Sequence, residues 1–395
     1  MIADIQCCQA SSLAIISTEA IRKWFMFDNV FKNKTVLVTG HTGFKGSWLC
    51  IWLKELGANV VGYALEPYTQ RDNFVVTGLK DNIIHIVGDV RDFPSVYGVF
   101  EKYRPEIVFH LAAQPIVRES YDSPKETYDI NVGGTVNVLE CCRLSDSAKT
   151  IVNVTSDKCY DNKEWIWGYR ENDSMGGYDP YSSSKACSEL VTSGYRNLFI
   201  NSNDFKNHGK SLSSVRAGNV IGGGDWQKDR IIPDCIKALE NNKVVRLRNP
   251  NAIRPWQHVL EPLGGYLLLA SQMYMNPVKF YGAWNFGPDN VSVTSVRKIT
   301  DLVIICWGSG SWIDISDKNE PHEAKLLTLD ITKVKSCLGW YPVWNIEKAI
   351  EATVDWYKAY KYTDVYEVCL NQIKEFCEDF SAVNSNDKQF IGSLL

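Results

Sequence analysis

Three groups of residues in this sequence have types and spacings suited to chemistry. In "VTGHTGFKGSW", Gly40, Gly43 and Gly46 stand three apart, directly after a β-branched run and at the start of an apolar helical pattern. Glycines so placed allow a tight turn and let a pyrophosphate approach the backbone, while the helix start offers free N–H groups and a partial positive charge. This predicts a dinucleotide site, with Lys45 adding a cation to it. In "YSSSK", Tyr181 and Lys185 lie four apart and share one helix face. A phenol titrating at about 10 is a poor base near neutral pH. A neighbouring ammonium and an oxidised nicotinamide would lower that value and let the phenolate take a hydroxyl proton. In "IVNVTSDKCYDN", Ser156, Asp157 and Lys158 close a buried-strand pattern. A carboxyl beside an amine there is either a solvated turn or an acid and a base over a substrate.

The elements that must position these groups alternate along the chain. "KTVLVTG", "NVVGYAL", "IIHIVGDV", "PEIVFHLAA", "TIVNVTS" and "LSSVRAGNV" read as strands, separated by helical patterns such as "FKGSWLCIWLKELG", which ends at Gly57, and "SSSKACSELVTSGYRNLF". Such alternation predicts an α/β fold, a Rossmann-like doubly wound parallel sheet with right-handed crossovers. Beyond Gly222 the regularity gives way to "GGGDWQKDRIIP" and "LRNPNAIRPWQHVLEP", mixtures that suit loops lining a pocket. The expected layout is an N-terminal extension over 1–33, a cofactor domain over 34–221, a smaller interleaved lobe over 222–362 and a tail over 363–395. Segments around 256–288, including "AWNFGP", return to the first domain.

Composition narrows the function. The 395 residues are 45% hydrophobic and 22% charged with a net charge of −4, so no basic footprint invites nucleic acid or an anionic membrane. The 12 cysteines form no C-x-x-C pair, so no metal site is expected, and they read as reduced thiols of a cytoplasmic protein. The first residues carry only "LAII" as an apolar run with no basic residue before it, which fails as a signal peptide, and no run reaches transmembrane length. For the cofactor, Glu66 lies about 20 positions past the glycines, where an acid commonly holds the ribose hydroxyls. Arg71 nearby would welcome a ribose phosphate, and Asp89 in "VGDV" offers an acceptor to the adenine amino group. The balance favours NAD.

The glycine loop, Asp89, "HLAAQ", Ser156 and the Tyr181/Lys185 pair together resemble the extended short-chain dehydrogenase/reductases. Within them, "GHTGFKGSW", "TSDKCYDNKEWIWGYRE", "DPYSSSK", "RAGNVIGGGDW" and "RPWQHVLEP" resemble the CDP-glucose 4,6-dehydratases, from about Lys34 to about Tyr360. The resemblance implies NAD held by Gly40, Thr42, Gly43, Phe44, Lys45, Gly46, Asp89, Val90, Leu111, Ala112 and Ala113, with Tyr181 and Lys185. It implies CDP-glucose as substrate and a homodimer or homotetramer. A nucleotide diphosphate calls for cations, which makes Arg230, Arg246 and Arg254 candidates with the Asn219 amide. The resemblance supports Asn219 and Arg254 best, and Gln114 stands at the sugar where dTDP relatives commonly have an acid. Tyr181 would take the 4-hydroxyl proton, Asp157 would protonate the departing 6-hydroxyl, and Lys158 would take the carbon-5 proton or steady the enolate. His258 reads as a loop histidine outside the chemistry. Two other readings share the motifs, a nucleotide-sugar 4-epimerase and a non-catalytic NAD-binding scaffold. The Asp157-Lys158 pair argues against the first, because an epimerase needs no acid for a 6-hydroxyl.

Overall fold

The computed structural model describes residues 27–289, 292–316 and 326–392, with side chains to residue 383. Seven strands form one sheet: β1 (Thr35–Thr39), β2 (Asn59–Ala64), β3 (Ile84–Val87), β4 (Ile107–His110), β5 (Thr150–Val154), β6 (Ser211–Ala217) and β7 (Gly282–Phe286). Their order is β7-β6-β5-β4-β1-β2-β3, and every pairing is parallel. The chain order reverses between β1 and β4, which opens a crevice beyond the carboxyl ends of those strands. This is the Rossmann-type doubly wound arrangement.

Alternation along the strands divides the core. Leu37, Val61, Val108, Ile151 and Leu212 face α2 (Phe93–Tyr103) and α3 (Gly134–Leu144), meeting Val96, Phe100, Val138 and Leu139. Val36, Val38, Phe109, Val152 and Val215 face the other way, in one cluster with Trp48 and Trp52 of α1 (Phe44–Glu55). Both faces are apolar because both are covered, as an all-parallel sheet requires. Helix α1 gives way at Gly57, whose φ of +79° suits the position after a C-cap. Helix α4 (Pro180–Leu198) starts on Asp179, which accepts from the Ser182 N–H, with Pro180 in its first turn.

The smaller lobe holds α5 (Ile231–Glu240), α7 (Val296–Trp307) and short strand pairs, among them Val245–Leu247 with Trp312–Asp314. It is interleaved with the sheet domain: α6 (Leu260–Met275) packs on β5 and β6, and the next strand is β7.

The boundary segments fold differently from the expected extension and tail. Residues 1–26 of the expected extension lie outside the described residues, but Phe27 and Phe31 are buried in the main core. After α8 (Ile346–Ala359), the residues from 365 form α9 (Val365–Gly392), which buries Cys369, Ile373, Phe376 and Phe380 in the same core. Phe376 meets Trp52 of α1 edge-on at 5.8 Å. Its apolar residues recur at three- and four-residue spacing, the pattern of a helix with one buried face.

Candidate active site

A cleft of about 1260 Å³ opens at the carboxyl ends of β1, β4, β5 and β6. Gly40, Thr42, Gly43, Phe44, Lys45 and Gly46 form its floor at the N-terminus of α1. Gly40 has a φ of +76°, and a Cβ there would come within 2.7 Å of the Ala112 nitrogen at the end of β4. A Cβ on Gly46 would stand 2.1 Å from the Gly40 carbonyl oxygen. Neither position has room for a side chain, so the backbone at the helix start stays open to a pyrophosphate. Gly43 caps α1 without a side-chain bond and no acidic residue occupies the first turn, so no side chain of that turn competes with an anion there.

Around that floor lie Asp89 and Val90 after β3, and Leu111, Ala112, Ala113 and Gln114 after β4. The Asp89 carboxylate is held by Arg91 at 2.6 Å, and this bond keeps it below the ordinary carboxylate value. The Gln114 amide bonds the Ile116 carbonyl and N–H within its own loop at the cleft wall. Arg71 is committed. Its guanidinium lies 3.4 Å from the Trp226 ring centre and bonds Glu240 and Tyr360, so it is not held ready for a ribose phosphate. Glycine loop, open helix start and this committed arginine together fit NAD.

On the opposite wall the predicted chemical residues come together. Ser156 ends the strand in extended backbone, accepts from the Lys158 N–H and donates to Asp157 Oδ1 at 2.9 Å. The Ser156 hydroxyl acts on the Tyr181 phenol, favouring its deprotonated form. Burial raises the Asp157 carboxyl above its ordinary value, against the pull of Lys158, Ser156, Arg254 and Lys45. Its Oδ2 would lie 3.1 Å from a Cβ on Gly218, so that glycine leaves the carboxyl its space. Burial pushes Tyr181 up to about 12, and Ser156 and Arg230 act against the rise. Lys185 is itself depressed to about 8 by burial, with Glu189 opposing. Lys45 reaches into the cleft, where burial, Arg230 and Lys185 bring it down to about 7.

Asn219, Arg230, Arg246 and Arg254 line the lobe side of the cleft. Asp225 holds Arg230 at 2.8 Å, and Tyr357 bonds the Asp225 carbonyl. Arg118 and Arg248 also line it, both beside Asp229; Arg248 stands in the quoted "LRNPNAIRPWQHVLEP" stretch, whereas Arg118 belongs to no motif. His258 is fully buried against Trp48 and Trp344, away from the cleft.

The family model for GDP-mannose 4,6 dehydratase matches residues 37–353. The chain belongs to this family. The match runs from β1 into α8 and takes in every cleft residue named above. Among relatives of known activity, CDP-glucose 4,6-dehydratase of Salmonella typhimurium is 52% identical over 333 residues, 84% of this chain and 92% of that protein. Solved structures share the family fold. An epimerase from Methanothermobacter thermautotrophicus superposes with a TM-score of 0.73 at 22% identity, covering 86% of this chain and 96% of that one. The dTDP-glucose 4,6-dehydratase of Bacillus anthracis, in complex with NAD, gives 0.68 at 20% identity over 84% and 99%.

Proposed function

We propose that this chain is an NAD-dependent CDP-glucose 4,6-dehydratase forming CDP-4-dehydro-6-deoxy-D-glucose for deoxysugar biosynthesis. The observation that carries the reading is the Ser156–Lys158 turn, which sets a buried carboxyl with a raised affinity for protons beside the Tyr181 phenol. Similarity to the Salmonella enzyme supports CDP-glucose as the substrate.

The loop of Gly40, Gly43 and Gly46 would hold NAD, which would supply the hydride acceptor for carbon 4 and the hydride donor for carbon 6. Tyr181 takes the proton of the 4-hydroxyl, with Ser156 orienting the phenol and Arg230 and Lys185 supplying positive charge. The resulting ketone acidifies carbon 5, and Lys158 removes that proton and returns it to carbon 5 once hydride has reached carbon 6. Asp157, whose affinity for a proton burial raises, delivers a proton to the departing 6-hydroxyl, so one water leaves. Arg246 and Arg254 meet the diphosphate, for which guanidinium groups are well shaped. The assembly is a homo-oligomer, a dimer or tetramer, working in the cytoplasm. Among the described residues no helix is long and apolar enough to cross a membrane.

Incubation with CDP-, dTDP-, GDP- and UDP-glucose, followed by mass spectrometry, tests the reading. Loss of one water from CDP-glucose with NAD present is the expected result. A hexose epimer of unchanged mass would refute dehydration, and preferential turnover of another nucleotide would refute the substrate.

A further inference from the structure

Behind the turn and the helix lies a polar cluster that the reaction as described does not use. Arg216 of β6 and Glu189 of α4 form a bidentate pair, Nε to Oε1 at 2.8 Å and Nη2 to Oε2 at 2.8 Å, with side chains only 2% and 3% exposed. Glu189 also accepts from the hydroxyls of Thr155 and Ser214. Thr155 immediately precedes Ser156, so the carboxylate grips the turn at its root. The Arg216 Nη1 donates to the Tyr160 hydroxyl at 2.6 Å, and Tyr160 donates to Asn285 of β7 at 2.8 Å. Tyr160 follows the turn directly, so the pair holds it from both ends.

A buried ion pair adds little stability over apolar side chains of the same shape, so stability alone does not account for one here. Glu189 lies four residues beyond Lys185, one helical turn, and the two share the face that carries Tyr181. The titratable groups facing Lys185 are Tyr181 and Glu189 on its own helix, Cys159 from the turn, Lys45 from the glycine loop and His110 from β4. Burial keeps the Cys159 thiol and the His110 ring neutral, and Lys45 is a cation or neutral. Burial opposes charge on Glu189 too, but Arg216 and the two hydroxyls outweigh it. Glu189 is therefore the anion of this group.

We propose that Glu189 and Arg216 form a positioning pair, which fixes the Ser156–Lys158 turn against the Tyr181–Lys185 helix and supplies the anion opposite the Lys185 ammonium. Glu189 acts on the chemistry through Lys185 and Thr155, without touching substrate. The catalytic consequence rests on the dehydratase reading, while the effect on Lys185 does not.

The test is the titration of the Lys185 Nζ by 15N NMR in the full chain, assigned through its loss in Lys185→Arg. It is run on wild type, Glu189→Gln and the double variant Glu189→Gln/Arg216→Met, which leaves no unpaired buried charge. The expected result is a Lys185 midpoint lower by about one pH unit in Glu189→Gln, which removes the anion, and a smaller fall in the double variant, which removes the Arg216 cation with it. The alkaline limb of NADH formation from the substrate should fall with it, about tenfold in rate at a fixed pH on that limb. An unmoved Lys185 midpoint in a variant that melts like wild type would overturn the proposal. So would a double variant unable to fold, which would mark the pair as purely structural. Turnover of CDP-glucose by wild type is scored separately, so its failure removes the proposed function and leaves the titration interpretable.

Discussion

Glu261, at the start of α6, is a fully buried carboxyl far from the cleft chemistry. One oxygen accepts the N–H groups of Val343 at 2.9 Å and Trp344 at 2.6 Å, while Oε2 has no partner. Burial outweighs those two bonds and pushes the group from 4.5 up to about 8. A folded value above the unfolded one means that the neutral acid is the stabilised form. Its contribution is complete below about 4.5 and is lost as pH rises through about 8. At about 1.4 kcal/mol per pH unit, the loss approaches roughly 5 kcal/mol, an order-of-magnitude figure. Glu261→Gln keeps the acceptor oxygen for both N–H groups but cannot ionise. It buries an unpartnered amide N–H₂ where Oε2 lay, costing about 1–3 kcal/mol. The variant should therefore be less stable than wild type at pH 5 and more stable at pH 9. Urea melts of both proteins across that range give the difference directly, and other titrating groups cancel in the comparison. A stability difference that stays constant with pH would refute the reasoning, because it would mean that Glu261 is charged, or neutral, equally in both states.

Three further outcomes follow from the cleft. Lys158→Met should still form NADH from CDP-glucose in a single turnover but stop deuterium entering carbon 5 in heavy water, and continued exchange at the wild-type rate would remove its role as base. Asp157→Asn should keep carbon-5 exchange and slow water loss by roughly 10²–10⁴-fold, the usual share of a general acid, as read by product mass spectrometry. Gly40→Ala puts a side chain at a φ of +76° and 2.7 Å from the Ala112 nitrogen. The backbone strain alone is about 1–2 kcal/mol, so NAD affinity by calorimetry should fall about tenfold or more, and unchanged affinity would show that the loop can yield.

What the sequence made legible was what depends on neighbours in sequence. The six strands from Thr35 to Ala217 announced themselves through β-branched runs, and the glycine loop, the turn and the Tyr181/Lys185 face each fit within a few residues. Side-chain commitments across the fold were not legible. Arg71 looked available because nothing nearby in sequence reveals Trp226, Glu240 and Tyr360 closing around it. The bonds of Gln114 to Ile116 depend on a loop conformation that the sequence does not spell out. The role of Arg230 beside Tyr181 depends on how the lobe folds back over the helix. Glu189 left a signal that could have been read, since a carboxylate four residues past Lys185 must share its face. Helix α9 left one too, in the spacing of Cys369, Ile373, Phe376 and Phe380.

The position of α9 has a consequence for how the protein is made. Helix α1, whose first turn forms the floor of the cleft, leaves the ribosome early, whereas α9 leaves it late. Phe376 closes over Trp52, and Tyr366 bonds Glu55 at the far end of α1. Until α9 has emerged, a nascent chain carries its cofactor helix with one apolar flank bare. Maturation of the NAD site thus waits on a helix synthesised after every motif, and a nonsense mutation just before Val365 would leave every motif residue in the chain while exposing Trp52 to chaperones and proteases.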